Sequence, residues 1–85
     1  MEINYKKSFL KELSKIPVET RYRIEKIVFE TPIKDLLSEM LSRLKGYNNF
    51  YKIRVGDYRI GVYLDNEKIE FIRVMHRKDI YRYFP

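Results

Sequence analysis

Cysteine is absent from this chain, and so is tryptophan. Without thiols there is no disulfide to staple the fold and no thiolate metal site. Histidine occurs once, with no spaced His/Asp/Glu set around it, so no metal and no other cofactor is expected. Glycine and proline number three each, too few for a flexible linker or a low-complexity segment. No apolar run approaches the roughly 20 residues of a membrane span. The opening MEINYKKSFL lacks the apolar stretch of a signal peptide. A cytoplasmic domain with no membrane contact is expected.

What is present suits one small domain over residues 1–85. Hydrophobic residues make up 45% of the chain, with eight tyrosines and five phenylalanines among them. They are spread along its whole length, which argues against disorder. The net charge is +6 and it is unevenly placed. Residues 1–42 carry 8 Lys+Arg against 7 Asp+Glu, and residues 43–85 carry 10 against 5. A basic C-terminal half points to a polyanion such as nucleic acid, or to an acidic protein partner.

Residues 2–5 alternate and suit one short strand. Phe9, Leu10, Leu13 and Ile16 share a helical face over about residues 6–16. Pro17 interrupts it and is placed to open the next helix at its first position. Tyr22, Ile24, Ile27 and Val28 mark a second helix, which Thr31-Pro32 ends. Two helices joined this tightly predict an antiparallel hairpin. Residues 33–44 look helical by composition, and residues 45–49 form a loop. The texture then changes to period two. FYKIRV, YRIGVYL and EKIEFIRVM predict an antiparallel meander with two-residue turns at Gly56-Asp57 and Asp65-Asn66. The fold class is therefore α+β: a helical hairpin on a small antiparallel sheet, with a short C-terminal segment.

Those turns set a register, and the register sorts the side chains. One face carries Tyr51, Ile53, Val55, Tyr58, Ile60, Val62, Leu64, Ile69 and Phe71, a core for the helices to cover. The other carries Lys52, Arg54, Arg59, Gly61, Tyr63, Glu70, Ile72, Val74 and His76. Arg54 stands opposite Arg59 with Lys52 beside them. Like charges across a sheet destabilise it, so the cluster is suited to an anion. Gly61 removes a side chain there, leaving room for a ligand's backbone, and Tyr63 offers a stacking surface. Arg77 and Tyr81 follow at the end of the last strand.

These residues resemble the RelE/ParE superfamily of prokaryotic toxins. The likeness covers FLKELSKIP, the block LKGYNNFYKIRVGDYRIGVYL at 44–64, and the closing HRKDIYRYFP. It is closer to the RelE branch, which implies a ribosome-dependent endoribonuclease (an mRNA interferase). By position, Lys52 and Arg54 match the family's basic pair, Arg59 its central arginine and Arg77 the arginine ending the last strand. Tyr81 resembles the tyrosine that stacks on substrate, with Tyr83 as a substitute. His76 lies where relatives carry lysine or histidine. Lys45, Tyr63, Arg73, Lys78, Arg82 and Tyr83 would extend the RNA contact.

The resemblance implies attack by the ribose 2′-OH on the adjacent phosphate. Arg59 and Arg54 would stabilise the added charge, Lys52 or His76 would take the proton, and Arg77, alone or with His76, would serve the leaving group. No metal is implied. The partners implied are mRNA on the ribosome and a cognate acidic antitoxin. Two other readings of the same face remain: a non-catalytic gyrase inhibitor of the ParE type, and a degenerate toxin that only binds its antitoxin.

Overall fold

The computed structural model describes residues 1–85. Strand β1 (Glu2–Tyr5) leads into helix α1 (Lys7–Leu13), then α2 (Val18–Glu25), which continues as a π-helical turn over Lys26–Glu30. Helix α3 (Ile33–Asp35) likewise runs on as a π-helical turn, Leu36–Met40. Strands β2 (Ser42–Arg43), β3 (Phe50–Val55), β4 (Tyr58–Leu64) and β5 (Lys68–His76) follow, and α4 (Arg77–Tyr83) closes the chain. The sheet order is β1-β5-β4-β3-β2. No helix is long and apolar enough to cross a membrane.

The α+β class holds, with four differences of detail. The sheet is mixed, because β1 pairs with β5 in parallel. The helical segment after Pro32 stops at Met40, and Ser42 and Arg43 pair with Lys52 and Tyr51 as an edge strand. Pro17 precedes α2 as its N-cap, with extended ψ of 141°, and Val18 is the first helical residue. The short C-terminal segment is a seven-residue helix, α4.

The β3–β4 hairpin forms at Gly56-Asp57 with the expected pairs, Arg54 opposite Arg59 and Lys52 opposite Gly61. Gly56 takes φ +58°, a conformation that costs other residues a steric penalty. The β4–β5 connection is longer than expected. Leu64 pairs with Ile69, so four residues make the loop. Asp65 causes this: its Oδ1 accepts the amide N–H groups of Glu67 at 2.8 Å and Lys68 at 2.9 Å. A shift of two residues leaves every side chain on its expected face.

A β-bulge then changes the faces. Val62 pairs with Phe71, but Gly61 pairs with Arg73, so Ile72 is an extra residue. The bulge forms where β1 has ended and α1 takes over the edge of β5. Ser8 donates to the Ile72 carbonyl at 2.6 Å, and Glu12 accepts the Val74 N–H at 3.1 Å. Beyond the bulge Val74 turns into the core and His76 stands opposite Tyr58. Both were expected on the cationic face; Arg73 and Met75 take those places, opposite Gly61 and Arg59.

The main core lies on the expected face. Phe9, Leu13 and Ile16 join Ile24, Val28 and Leu36 over Ile53, Val55, Ile60, Val62, Ile69, Phe71 and Val74. Tyr5 stacks on Phe71 at 5.3 Å and donates its hydroxyl to the Val28 carbonyl at 2.9 Å. The opposite face has its own small core of Leu44, Ile80 and Phe84, packed on Phe50, Ile72 and Met75. That second core holds α4 against the cationic face.

Candidate functional site

Strand alternation puts Lys52 and Arg54 on the same face of β3, two residues apart. Helix α4 supplies the facing row, since Arg77 and Tyr81 are four residues apart and share one side of it. Lys52 Nζ donates to the Tyr81 hydroxyl at 2.5 Å and lies 5.0 Å from the centre of its ring. These two side chains, 29 residues apart in the chain, border a groove of about 300 Å³. Lys45, Tyr47, Leu44, Phe84 and Pro85 complete its lining.

At the other end of α4, the Arg77 N–H donates to the Asp57 carbonyl at 2.7 Å. The Arg77 guanidinium lies 3.8 Å from the exposed Asp57 carboxylate. This pins the start of α4 to the β3–β4 turn. Arg54 is exposed on the same face. Arg59 is the one charged residue that is buried, 8% exposed. Its Nη1 donates to the carbonyls of Gly56 at 2.8 Å and Tyr58 at 2.9 Å. Its guanidinium therefore braces the turn beside Arg54, its cross-strand neighbour.

Several expected participants stand elsewhere. His76 caps α4: its Nδ1 accepts the Lys78 N–H at 3.1 Å, and its ring meets Tyr58 edge-on at 5.7 Å. The bulge has carried it away from Lys52 and Arg54. Arg73 forms a forked ion pair with Glu12, 2.6 Å at its shortest, and its guanidinium carbon lies 5.9 Å from the Tyr83 ring. Hydrogen bonding to the Glu12 carboxylate raises the Arg73 pKa further. Tyr83 thus faces Arg73, whereas Tyr81 faces Lys52. Tyr63 donates its hydroxyl to Asp65 at 3.0 Å, and Lys68 lies over its ring at 5.5 Å. That hydrogen bond is the main reason its phenol pKa is raised, with burial second. Its ring belongs to the β4–β5 loop. Lys78 and Arg82 are exposed on α4.

Gly61 makes room for Phe84 rather than for a ligand: a Cβ there would meet its ring at 2.7 Å. Sequence reasoning missed Tyr47, Leu44 and Phe84 as groove lining and Asp57 as the partner of Arg77. For Tyr47 the signal was an aromatic two residues after Lys45 in an otherwise polar loop.

The arrangement presents Lys45, Lys52, Arg54 and Arg77 beside an exposed aromatic ring. A guanidinium fork matches two phosphate oxygens, and a tyrosine face accepts any unstacked base. Anionic, single-stranded nucleic acid is the ligand chemistry that both features share.

The family described as the ParE toxin of type II toxin–antitoxin systems, parDE, matches residues 3–81. The chain is 42% identical to Toxin RelE3 of Methanocaldococcus jannaschii over an 88-residue alignment spanning all of both proteins. The RelB–RelE antitoxin–toxin complex from Methanococcus jannaschii contains a chain that matches with a TM-score of 0.78 and 43% identity. That match covers 96% of this chain and 99% of the other. The intact E. coli RelBE complex matches with a TM-score of 0.68 at 22% identity, over 88% of this chain and 94% of that one. The last likeness is one of fold alone.

Proposed function

The chain belongs to the RelE/ParE family of toxins of type II toxin–antitoxin systems, and on that premise we propose that it is a metal-independent endoribonuclease that cuts mRNA on the ribosome. The carrying observation is the pairing of Lys52 with Tyr81 in one groove, beside Arg54 and Arg77. In this reading a base stacks on Tyr81 and displaces its contact with Lys52. The freed Lys52 amine takes the proton of the ribose 2′-OH. The 2′-oxygen bonds to phosphorus, the bond to the 5′-oxygen breaks, and that oxygen takes a proton from solvent as it leaves, its developing charge offset by Arg77. A 2′,3′-cyclic phosphate remains.

Arg54 and Arg77 carry the charge that builds on the phosphoryl oxygens. Arg59, the cross-strand neighbour of Arg54, adds positive charge and holds the turn that carries Asp57. Between the two candidate bases, the groove favours Lys52, because the His76 ring is engaged on the other side of β5. The acid–base equipment is sparse, so positioning must supply much of the rate. That supports a substrate presented in the ribosome's decoding site, in the cytoplasm, and predicts poor cleavage of free RNA.

Two of the matched structures are toxin–antitoxin complexes. They support a cognate antitoxin for this chain, and its +6 charge favours an acidic one. Covering the Lys52/Arg54 face, or drawing α4 away from it, removes the phosphate site without touching the main core.

The test is inducible expression with mapping of mRNA 5′-ends. Cuts inside translated codons that vanish when translation is blocked are expected. Growth arrest with intact mRNA and inhibited gyrase would transfer the chain to the ParE mode of action. Co-expression of the adjacent reading frame should restore growth and give a co-purifying complex.

A further inference from the structure

Helix α4 has seven residues, too few to keep its shape or place unaided. Two apolar side chains peg it to the sheet, Ile80 at 1% exposure and Phe84 at 4%. The Phe84 N–H donates to the Ile80 carbonyl at 2.8 Å, so the pegs are one turn apart. Phe84 enters a space that only glycine leaves, since a Cβ at Gly61 would lie 2.7 Å from its ring. The ring also meets Phe50 edge-on at 5.6 Å. Between the pegs lies Tyr81. Gly61 is the cross-strand partner of Lys52. One cross-strand pair therefore holds both parts of the helix: Lys52 takes the Tyr81 hydroxyl, and Gly61 takes the Phe84 ring.

We infer that Phe84, seated on Gly61, is a positioning residue that fixes α4 over β3 and β4 and so sets Tyr81 against Lys52. Without Phe84, α4 is held at its start by the Arg77–Asp57 bond and at Ile80, which leaves its C-terminal end free to pivot, and a pivot moves Tyr81 across the groove. The catalytic side of this inference rests on the proposed RNA cleavage, so the test carries a second, purely chemical readout.

In the full-length protein, each lysine's acylation by a small amine-reactive ester is followed by mass spectrometry, with exposed Lys11 and Lys34 as internal references. Phe84→Ala should raise Lys52 labelling about fivefold, the change expected for loss of one hydrogen bond. Tyr81→Ala should raise it equally, and the double variant no further. Single-turnover cleavage on programmed ribosomes should fall in Phe84→Ala with little change in KM. In a Tyr81→Ala background the same substitution should add nothing. Phe84→Leu should restore part of the rate. Circular dichroism reports whether each variant folds. If Phe84→Ala does not fold, Gly61→Ala expels the ring by adding one methyl group and carries the same expectations.

Unchanged Lys52 labelling in a folded variant overturns the inference, as do losses from Phe84 and Tyr81 substitutions that multiply. A wild-type protein that cuts no mRNA, combined with Lys52 exposed by Phe84→Ala, removes the nuclease reading and leaves the positioning role standing.

Discussion

Lys52 and Tyr81 hold each other in the free protein, which separates the two C-terminal tyrosines by partner. Tyr81 borders the groove, and Tyr83 lies against Arg73, itself occupied by Glu12. A base stacked on an aromatic is worth about 1–3 kcal/mol. Tyr81→Ala should therefore slow single-turnover cleavage about tenfold to a hundredfold, and Tyr83→Ala should have the smaller effect. The reverse order of effects would displace Tyr81 as the stacking residue. Arg59 calls for a different experiment, because it is buried and ties two turn carbonyls. Arg59→Ala should lower stability by about 1–2 kcal/mol, the worth of charge-assisted bonds lost from a buried site. A urea titration measures this, and an unchanged midpoint would show that the brace contributes nothing.

The element with the largest consequence is the upper half of β5. Past Phe71 it stays paired with β4 on one side, but its outer edge has no neighbouring strand, and α1 supplies the missing partners there. The Glu12 carboxylate accepts the Val74 N–H and both sides of the Arg73 fork. Ser8 satisfies the Ile72 carbonyl. Unpaired strand edges invite association with other chains, and side chains from α1 block this one. Glu12→Ala leaves a half-buried guanidinium and a backbone N–H without partners. The expected cost is about 2–3 kcal/mol, measured by urea denaturation. Glu12→Gln, which keeps an acceptor, should cost about half as much. Equal stability for all three proteins would mean that the bulge holds without α1.

At the scale of the whole molecule, the charge distribution and the titrating groups set its response to solution conditions. Lys52, Arg54 and Arg77 each displace a counterion if each meets a phosphate. With three contacts to a single strand, affinity should fall about twentyfold between about 50 and 200 mM salt. A flat affinity would remove phosphate contacts from the binding. Amide hydrogen bonds from Glu67 and then Lys68 hold the Asp65 carboxyl below its ordinary range. The folded protein thus binds that proton less tightly than the unfolded chain. Asp65's contribution is complete above about pH 4 and is lost as pH falls further, through the folded value. Tyr63, through its bond to Asp65, and Tyr5, through burial, have raised values. Their contribution is present below about pH 10 and is lost as pH rises beyond it. Urea midpoints followed from about pH 3 to 11 should show a plateau with both limbs. Asp65→Asn should flatten the acid limb; an unaltered limb would assign it to other carboxylates.

Much of this protein follows from its sequence alone. Alternating apolar residues in three adjacent segments, with turn residues between, determine the meander, because burial of one face is the dominant driving term and period two allows only one such face. Helical spacing from Phe9 to Val28 determines what covers it. The Lys52, Arg54 and Arg59 cluster is equally legible, because a tight turn at Gly56-Asp57 leaves a single register for β3 and β4. The fate of β5 was not local. Its bulge is bonded by Ser8 and Glu12, about sixty residues earlier in the chain, and one inserted residue reverses the facing of everything after it. That reversal turned Val74 into the core and moved His76 to the end of α4 as a cap. The long side chains were likewise decided only in three dimensions. Arg59 folds back onto its own turn, and Gly61 serves Phe84 across the sheet. The backbone pattern states which face a residue leaves from, but a guanidinium or a ring ends where the folded surroundings offer it carbonyls or space.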